Sequence, residues 1–198
     1  EIQLGDWSSD VCSSDLMENW AEHLECTLID EESLQKRIHE LGEEITRDYE
    51  GKDLVLIGIL KGSIMFLSDL CKEIPLSLAM DFMSVSSYGN RSESSGVVRI
   101  LKDLDQNIEN KDVLIVEDII DSGLTLSYLR DNLSHRGPRS IQICTLLDKP
   151  DRRVAKDIHV NYCGFIIPDK FVVGYGLDFS EKYRNIPFIG ALKRELYE

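Results

Sequence analysis

The feature that most constrains the fold is the stretch at residues 113–126, which reads VLIVEDIIDSGLTL. Four aliphatic residues in succession favour a strand that is buried on both faces of a sheet. Leucines then recur at helical spacing over residues 126–136. The stretch therefore predicts a buried strand and a short turn, with residues 121–123 opening a helix.

The start of this helix predicts a ligand with two different ends. Unpaired N–H groups and the positive end of a helix dipole attract a phosphate, and Ser122 and Thr125 add hydroxyls. Glu117 and Asp118 precede the turn, and carboxylates repel a phosphate unless hydroxyls or a divalent cation separate them. The implied ligand carries a phosphate at one end and a diol or Mg²⁺-bound group at the other. A 5-phosphoribosyl group has these two ends.

A simpler interpretation of the same residues stays open. Glu117 and Asp118 can be solvent-facing acids at a strand end, and Asp121 can begin an ordinary helix cap. Neighbouring residues of a regular strand point to opposite faces, so the first two carboxylates cannot both face one ligand. We therefore expect Glu117 and Asp118 to differ in role.

Strands and helices alternate along the chain. The patterns predict helices at residues 33–49, 64–74 and 126–136, and strands at 54–60, 78–85, 97–101, 113–116 and 140–147. This order indicates an α/β fold with a mostly parallel twisted sheet flanked by helices, whose ligands gather beyond the carboxyl ends of the strands. Residues 86–96 predict a polar flap loop. Residues 162–178, rich in Gly and aromatics, predict a cap over the cleft.

Lys61 and Lys149 each follow a predicted strand, and each has two interpretations. Lys61 with Gly62 is either a plain turn or a charge and a close backbone for a second anion. Lys149 has the same ambiguity. Phe171 is either core-edge sequence or an aromatic face for a planar ring.

Composition excludes several classes of protein. The net charge of −14 argues against broad binding to nucleic acid or anionic membranes, and no apolar run is long enough to span a bilayer. Five cysteines form no Cys-x-x-Cys pair, which favours free buried thiols in a reducing cytoplasm, and the scattered histidines argue against zinc. Residues 1–16, with their SSD echo and no basic residue, predict a disordered, non-native leader before a single domain at 17–198.

Taken together, the motifs resemble the type I phosphoribosyltransferases, and among them the hypoxanthine phosphoribosyltransferases. The resemblance covers residues 24–190 in order. It rests on VLIVEDIIDSGLTL at 113–126, LKGS at 60–63, SY at 87–88, LDK at 147–149 and PDKFVVGYGLD at 168–178. It implies the family fold, with a small hood, built from the terminal segments, over the carboxyl ends of the strands.

The resemblance also implies roles for residues that would hold the phosphoribosyl donor. Glu117 and Asp118 would meet the ribose hydroxyls directly or through Mg²⁺. Lys61, Gly62 and Arg184 would bind pyrophosphate, and the peptide entering Lys61 is often cis in the family. The 5′-phosphate loop would consist of Asp121, Ser122, Gly123, Leu124 and Thr125. Some relatives carry Lys where this chain has Leu124, so the phosphate would depend more on backbone N–H groups.

On the purine side, the resemblance implies that Lys149 addresses the 6-oxo group, Phe171 stacks on the ring and the Val172 backbone reads its edge. Asp178 would help to hold a second Mg²⁺, and backbone groups beside it would read purine position 2. Asp121 would handle the purine proton. Ser87 and Tyr88 would lie at the base of the flexible loop.

The implied reaction joins N9 of hypoxanthine, and of guanine, to the sugar of phosphoribosyl pyrophosphate. The implied setting is a cytoplasmic homo-oligomer, a dimer or a tetramer, with small-molecule substrates and no nucleic-acid or membrane partner. Two alternatives stay open: a regulatory protein that senses phosphoribosyl pyrophosphate without transferase activity, and an enzyme for another base. Lys149 favours a 6-oxopurine over adenine, because a cation does not pair with a 6-amino donor.

Overall fold

The computed structural model describes residues 20–88 and 97–197. The predicted leader at residues 1–16 lies outside the described residues. The strands are β1 (Leu24–Ile29), β2 (Leu54–Leu60), β3 (Leu78–Tyr88), β4 (Val97–Lys102), β5 (Asp112–Ile120), β6 (Ser140–Asp148), β7 (Tyr162–Ile166), β8 (Val172–Val173) and β9 (Ile189–Leu192). The α-helices are α1 (Glu31–Tyr49), α2 (Ile64–Lys72) and α3 (Leu124–Ser134). Short 3₁₀ turns span Pro150–Arg152 and Arg194–Leu196.

A six-stranded sheet in the order β4-β3-β2-β5-β6-β7 forms the main layer. Its strands run parallel except for β4, which pairs antiparallel with β3. The predicted mostly parallel α/β sheet is confirmed. Strand β5 is longer than its aliphatic run because pairing with β6 continues past Glu117 to Ile120. The two acids therefore lie within the strand, not after it.

Alternating side chains of the central strands pack into two separate hydrophobic cores. Leu56 and Leu114 pack on one face of the sheet with α1 and α2, whereas Ile57 and Ile115 pack on the other face with α3. Both faces are covered, so a continuous aliphatic run is the pattern that such strands require. Helix α1 begins where the Asp30 carboxylate accepts a hydrogen bond from Ser33 N at 2.7 Å.

A second sheet in the order β1-β9-β8 brings the two ends of the described chain together and forms the predicted hood. Both of its pairings are antiparallel. Strands β1, β7, β8 and β9 were not among the predicted strands. The prediction of a cap is wrong for residues 162–166, because β7 pairs with β6 as the edge strand of the main sheet. The described cysteines are free, and Cys144 is buried as expected, but the expectation of burial is wrong for Cys26, which is exposed. No helix in the described part of the chain is long and apolar enough to cross a membrane.

Candidate active site

Two cavities meet at the end of β5. The loop pocket is lined by Glu117, Ile119, Ile120, Asp121, Ser122, Gly123, Thr125 and Leu126. The main cleft has a volume of about 570 Å³ and lies between β5 and the hood, with Asp118, Asp121 and Lys149 in its wall. Glu117 and Asp118 thus line different cavities, as neighbouring strand residues should. Ile119 and Asp121 line both, so the two cavities join there, and Asp121 is the charged residue at the junction.

The two β5 carboxylates are poorly compensated. Glu117 Oε2 is buried and has no hydrogen-bond partner among the described residues. Burial, followed by the charge of Asp118, raises the pKa of Glu117 well above its usual value. Burial also raises the pKa of Asp118 to about 6, although the Ile119 N–H donates to its carboxylate at 2.8 Å. Buried acids without a partner are suited to a cation or to hydroxyl donors.

The donor set at this strand end fits Mg²⁺, since it consists of carboxylate oxygens and includes the unpaired oxygen of Glu117. Within residues 20–88 and 97–197, no three His, Cys, Asp or Glu side chains converge closely enough to enclose a metal ion alone. Mg²⁺ commonly uses one or two carboxylates and takes its other ligands from water and phosphates. The arrangement therefore leaves room for ligands from a substrate.

The turn at the start of α3 depends on a glycine and is held by backbone hydrogen bonds. Gly123 caps the helix with φ +77°, a conformation that side chains rarely adopt. Val154 N and Ala155 N, which follow the Pro150–Arg152 turn, donate to Ser122 O at 2.9 and 3.0 Å. Leu124 packs against the hydrophobic core beside α3, so only its backbone can serve the loop pocket. The first N–H groups of a helix have no internal partner and are free for a phosphate.

Gly62 lies where β2 approaches the end of β5. A β-carbon at this position would overlap Asp118 Oδ2, so no larger residue fits without displacing that carboxylate. The Leu60-Lys61 peptide is cis, as the resemblance implied. Lys61 Nζ lies 2.8 Å from Glu181 Oε2 in the loop after β8. That loop also supplies Arg184, which pairs with Asp178 at 2.9 Å.

The main cleft contains the residues expected to face the purine. Lys149 is buried, and its Nζ donates to the Lys170 carbonyl at 2.7 Å. Burial lowers the pKa of Lys149. Val172 and Phe171 also line the cleft. A cation held in a largely enclosed wall can read a carbonyl oxygen of a planar ligand.

Part of the surface of Phe171 is already occupied. Its ring stacks on Tyr197 with centroids 4.9 Å apart and an interplanar angle of 25°, and it meets Phe179 edge-on at 5.6 Å. A ligand ring that stacks on Phe171 must therefore use the face opposite Tyr197. Arg194 and Tyr197 both line the cleft, so the last described turn of the chain contributes to its wall.

Asp121 has a cationic neighbour that the sequence did not suggest. Its Oδ1 lies 2.8 Å from Arg152 Nε, and Arg152 Nη1 lies 3.4 Å from Asp169 Oδ1. Arg152, Asp169 and Tyr197 received no role from sequence reasoning, and Ile119 was also missed. Strand alternation beyond Glu117 was the signal that pointed to Ile119. For the other three residues, no local pattern was available.

The predicted flap falls mainly on residues 89–96, which lie outside the described residues. At its base, Ser87 pairs with Val98 and Tyr88 with Val97 in the β3–β4 ladder.

Comparisons with known proteins agree with this geometry. The family model described as a phosphoribosyl transferase domain matches residues 28–180. The hypoxanthine-guanine phosphoribosyltransferase of Bacillus subtilis is 55% identical over 175 residues, covering 88% of this chain and 97% of the relative. The protein of the same name from Mycobacterium tuberculosis is 49% identical over 197 residues, covering 96% and 97%. A crystal structure of a Staphylococcus aureus hypoxanthine phosphoribosyltransferase has a TM-score of 0.88 at 53% identity, covering 94% of this chain and 100% of that chain.

Proposed function

The chain belongs to the phosphoribosyl transferase family, and from this we infer that it is an enzyme of purine salvage. It transfers the 5-phosphoribosyl group from phosphoribosyl pyrophosphate to N9 of a 6-oxopurine and releases pyrophosphate. Hypoxanthine gives IMP, and guanine gives GMP. The observation that carries this inference is the junction of the two cavities at Asp121: a helix-start pocket suited to a phosphate adjoins a cleft with a buried lysine.

The chemistry sets the demands on the site. The bond from C1′ to pyrophosphate breaks while N9 attacks, and the ribose becomes oxocarbenium-like, as in other glycosidic displacements. The departing pyrophosphate gains negative charge, which Lys61 and Arg184 would stabilise. Asp121 accepts the purine proton at N7. It lines both cavities, and Arg152 supplies a cation 2.8 Å from its carboxylate.

Mg²⁺ is the proposed cofactor. Glu117 and Asp118, which line different cavities, would each meet the ribose hydroxyls directly or through Mg²⁺, and Asp178 would help to hold a second ion. When bound, the metal supplies charge neutralisation for the pyrophosphate leaving group. The residues themselves contribute orientation, because Glu117 and Asp118 belong to a central strand whose position is fixed by pairing on both sides.

Base choice is proposed to depend on Lys149, Phe171 and Val172. The buried Lys149 would exchange its bond to the Lys170 carbonyl for one to the purine 6-oxo group. Phe171 would stack on the ring through its face opposite Tyr197, while backbone groups of Val172 and Asp178 would read the ring edge. We further propose a cytoplasmic homo-oligomer, a dimer or a tetramer, that acts without nucleic-acid or membrane partners. Free cysteines support a reducing compartment.

A direct test follows the formation of nucleotide. The full chain is mixed with phosphoribosyl pyrophosphate, Mg²⁺ and one base at a time, and the products are separated by chromatography. We expect IMP from hypoxanthine and GMP from guanine, with no AMP from adenine. Omission of Mg²⁺ with added chelator should abolish turnover. If no 6-oxopurine gives product while the donor still binds, the chain is a sensor and not a transferase.

A further inference from the structure

The loop after β8 carries an acidic residue that received no role in the reaction. Glu181 lies between Asp178 and Arg184, and its backbone N–H donates to Asp178 Oδ2 at 2.8 Å. Ser180, Glu181 and Tyr183 have φ values of 52°, 64° and 76°, respectively. Each non-glycine residue in this left-handed region is strained, so the loop keeps this conformation only while its contacts hold it.

Glu181 contacts both cations that are assigned to pyrophosphate. Its Oε2 lies 2.8 Å from Lys61 Nζ and 3.6 Å from Arg184 Nη2. The two cations come from different parts of the fold, since Lys61 follows β2 of the main sheet and Arg184 follows β8 of the hood. One anionic oxygen therefore already lies between the two cations.

A phosphate oxygen would need the same donors. Charge-assisted bonds from Lys and Arg to phosphate and to carboxylate have the same geometry, so the two anions compete for one place. The Glu181 side chain is 66% exposed, as is that of Lys61. It can rotate into solvent without leaving a buried charge behind.

We propose that Glu181 is an internal counter-ion that occupies the pyrophosphate subsite of the empty enzyme and is displaced when pyrophosphate or the pyrophosphoryl end of the donor binds. This role rests on the proposed function, because that function assigns Lys61 and Arg184 to pyrophosphate. Glu181 keeps the two cations at their positions before the donor arrives. It also opposes retention of the product, since the carboxylate returns as pyrophosphate leaves.

The test measures pyrophosphate binding to the full chain by calorimetry in the presence of Mg²⁺. Because exposed ion pairs are weak, Glu181→Gln should tighten pyrophosphate binding only about two- to fivefold. Glu181→Asp keeps the charge on a shorter side chain and should show a smaller effect. Glu195→Gln removes the same charge from another exposed hood position and should leave the affinity unchanged. The KM for hypoxanthine should not respond to any of the three changes.

A double-mutant cycle separates competition from a structural role. In a Lys61→Gln background, the tightening caused by Glu181→Gln should shrink, because one of the contested donors is gone. Unchanged or weaker pyrophosphate binding in Glu181→Gln would overturn the proposal, as would equal tightening in Glu195→Gln. Thermal melts show whether each variant folds. If Glu181→Gln does not fold, pyrophosphate binding to Glu181→Asp is the test. Nucleotide formation by the unmutated chain is measured separately. The proposed function can therefore fail while Glu181 still competes with pyrophosphate, and the competition can fail while the chain still forms nucleotide.

Discussion

The two charged regions of the site differ in how their charges are balanced. At the end of β5, Glu117 and Asp118 are half-buried, and the partial removal of their carboxylates from water raises the pKa of both. In the loop after β8, Glu181 and Asp178 each lie within 3 Å of a cation. The strand-end acids thus lack a paired cation, whereas the acids of the loop after β8 are paired with Arg184 of the same loop and with Lys61 of the main sheet.

This difference follows from the elements that carry the residues. A central strand is fixed by hydrogen bonds on both sides, so its acids cannot move to find partners. A hood loop is exposed and can rearrange until its charges pair. We therefore expect a ligand to relieve the strand end but to displace existing contacts in the hood.

The largest expected effect concerns the acid that joins the two cavities. Asp121→Asn removes the proposed proton acceptor while it preserves shape, so turnover should fall about 10²- to 10⁴-fold. Binding of the phosphoribosyl donor should change far less, because the backbone N–H groups and hydroxyls of the loop remain. Steady-state kcat and donor affinity provide the measurement. Asp151→Asn, an exposed acid in the adjoining 3₁₀ turn, is the matched control. Near-normal turnover in Asp121→Asn would remove Asp121 from the chemistry.

The next effect concerns the contact between the two regions. In Gly62→Ala the new methyl group must displace the Asp118 carboxylate or the Lys61 turn. Overpacking of this kind costs about 1–3 kcal/mol, which corresponds to roughly a 5- to 150-fold rise in KM for the donor when the cost falls on donor binding. Gly51→Ala is the control: its β-carbon meets open space, so its backbone strain lowers stability without affecting KM. Donor KM at the unmutated value in Gly62→Ala would show that the two regions are not coupled through Gly62.

Local sequence was sufficient for the strand-end half of the site. The aliphatic run, the acids and the Ser-Gly-x-Thr turn are contiguous, so hydrophobic patterning and helix-start chemistry predicted the loop pocket. The sheet was predictable for the same reason, since β2, β5 and β6 each consist of a run of apolar residues followed by a turn. The length of β5 was not predictable from local sequence, because the strand continues past the two acids only by pairing with β6.

The hood half depends on contacts between distant segments, and sequence patterns do not record them. Lys61 and Glu181 are 120 residues apart, and Arg152 reaches Asp169 across 17 residues. The stacking of Tyr197 on Phe171 likewise depends on how the chain end folds back beside β8. The resemblance predicted several of these residues as ligand contacts. It did not predict which side chains of the protein contact them when no ligand is bound.

The smallest effect tests the charge balance itself through stability and pH. The pKa of Asp118 is raised to about 6 in the folded protein, chiefly by burial. The folded state favours the protonated form of Asp118. The contribution of Asp118 to the stability of the fold is therefore complete below the unfolded pKa of about 4 and is lost as pH rises through about 6. Asp118→Asn cannot ionise, so the ligand-free variant should melt above the unmutated chain at pH 8, with a gap that closes towards pH 4.

For a domain of this size, each kcal/mol corresponds to about 2–4 °C in Tm, so a gap of a few degrees is expected. Two charged groups act on Asp118: Asp178 opposes its ionisation, and Arg184 favours it. Glu181→Gln is the matched variant from the hood: it loses an existing ion pair and should give no rise in Tm at pH 8. Equal Tm shifts in the two variants, or a gap for Asp118→Asn that does not change with pH, would contradict the contrast between unpaired acids at the strand end and ion-paired acids in the loop after β8.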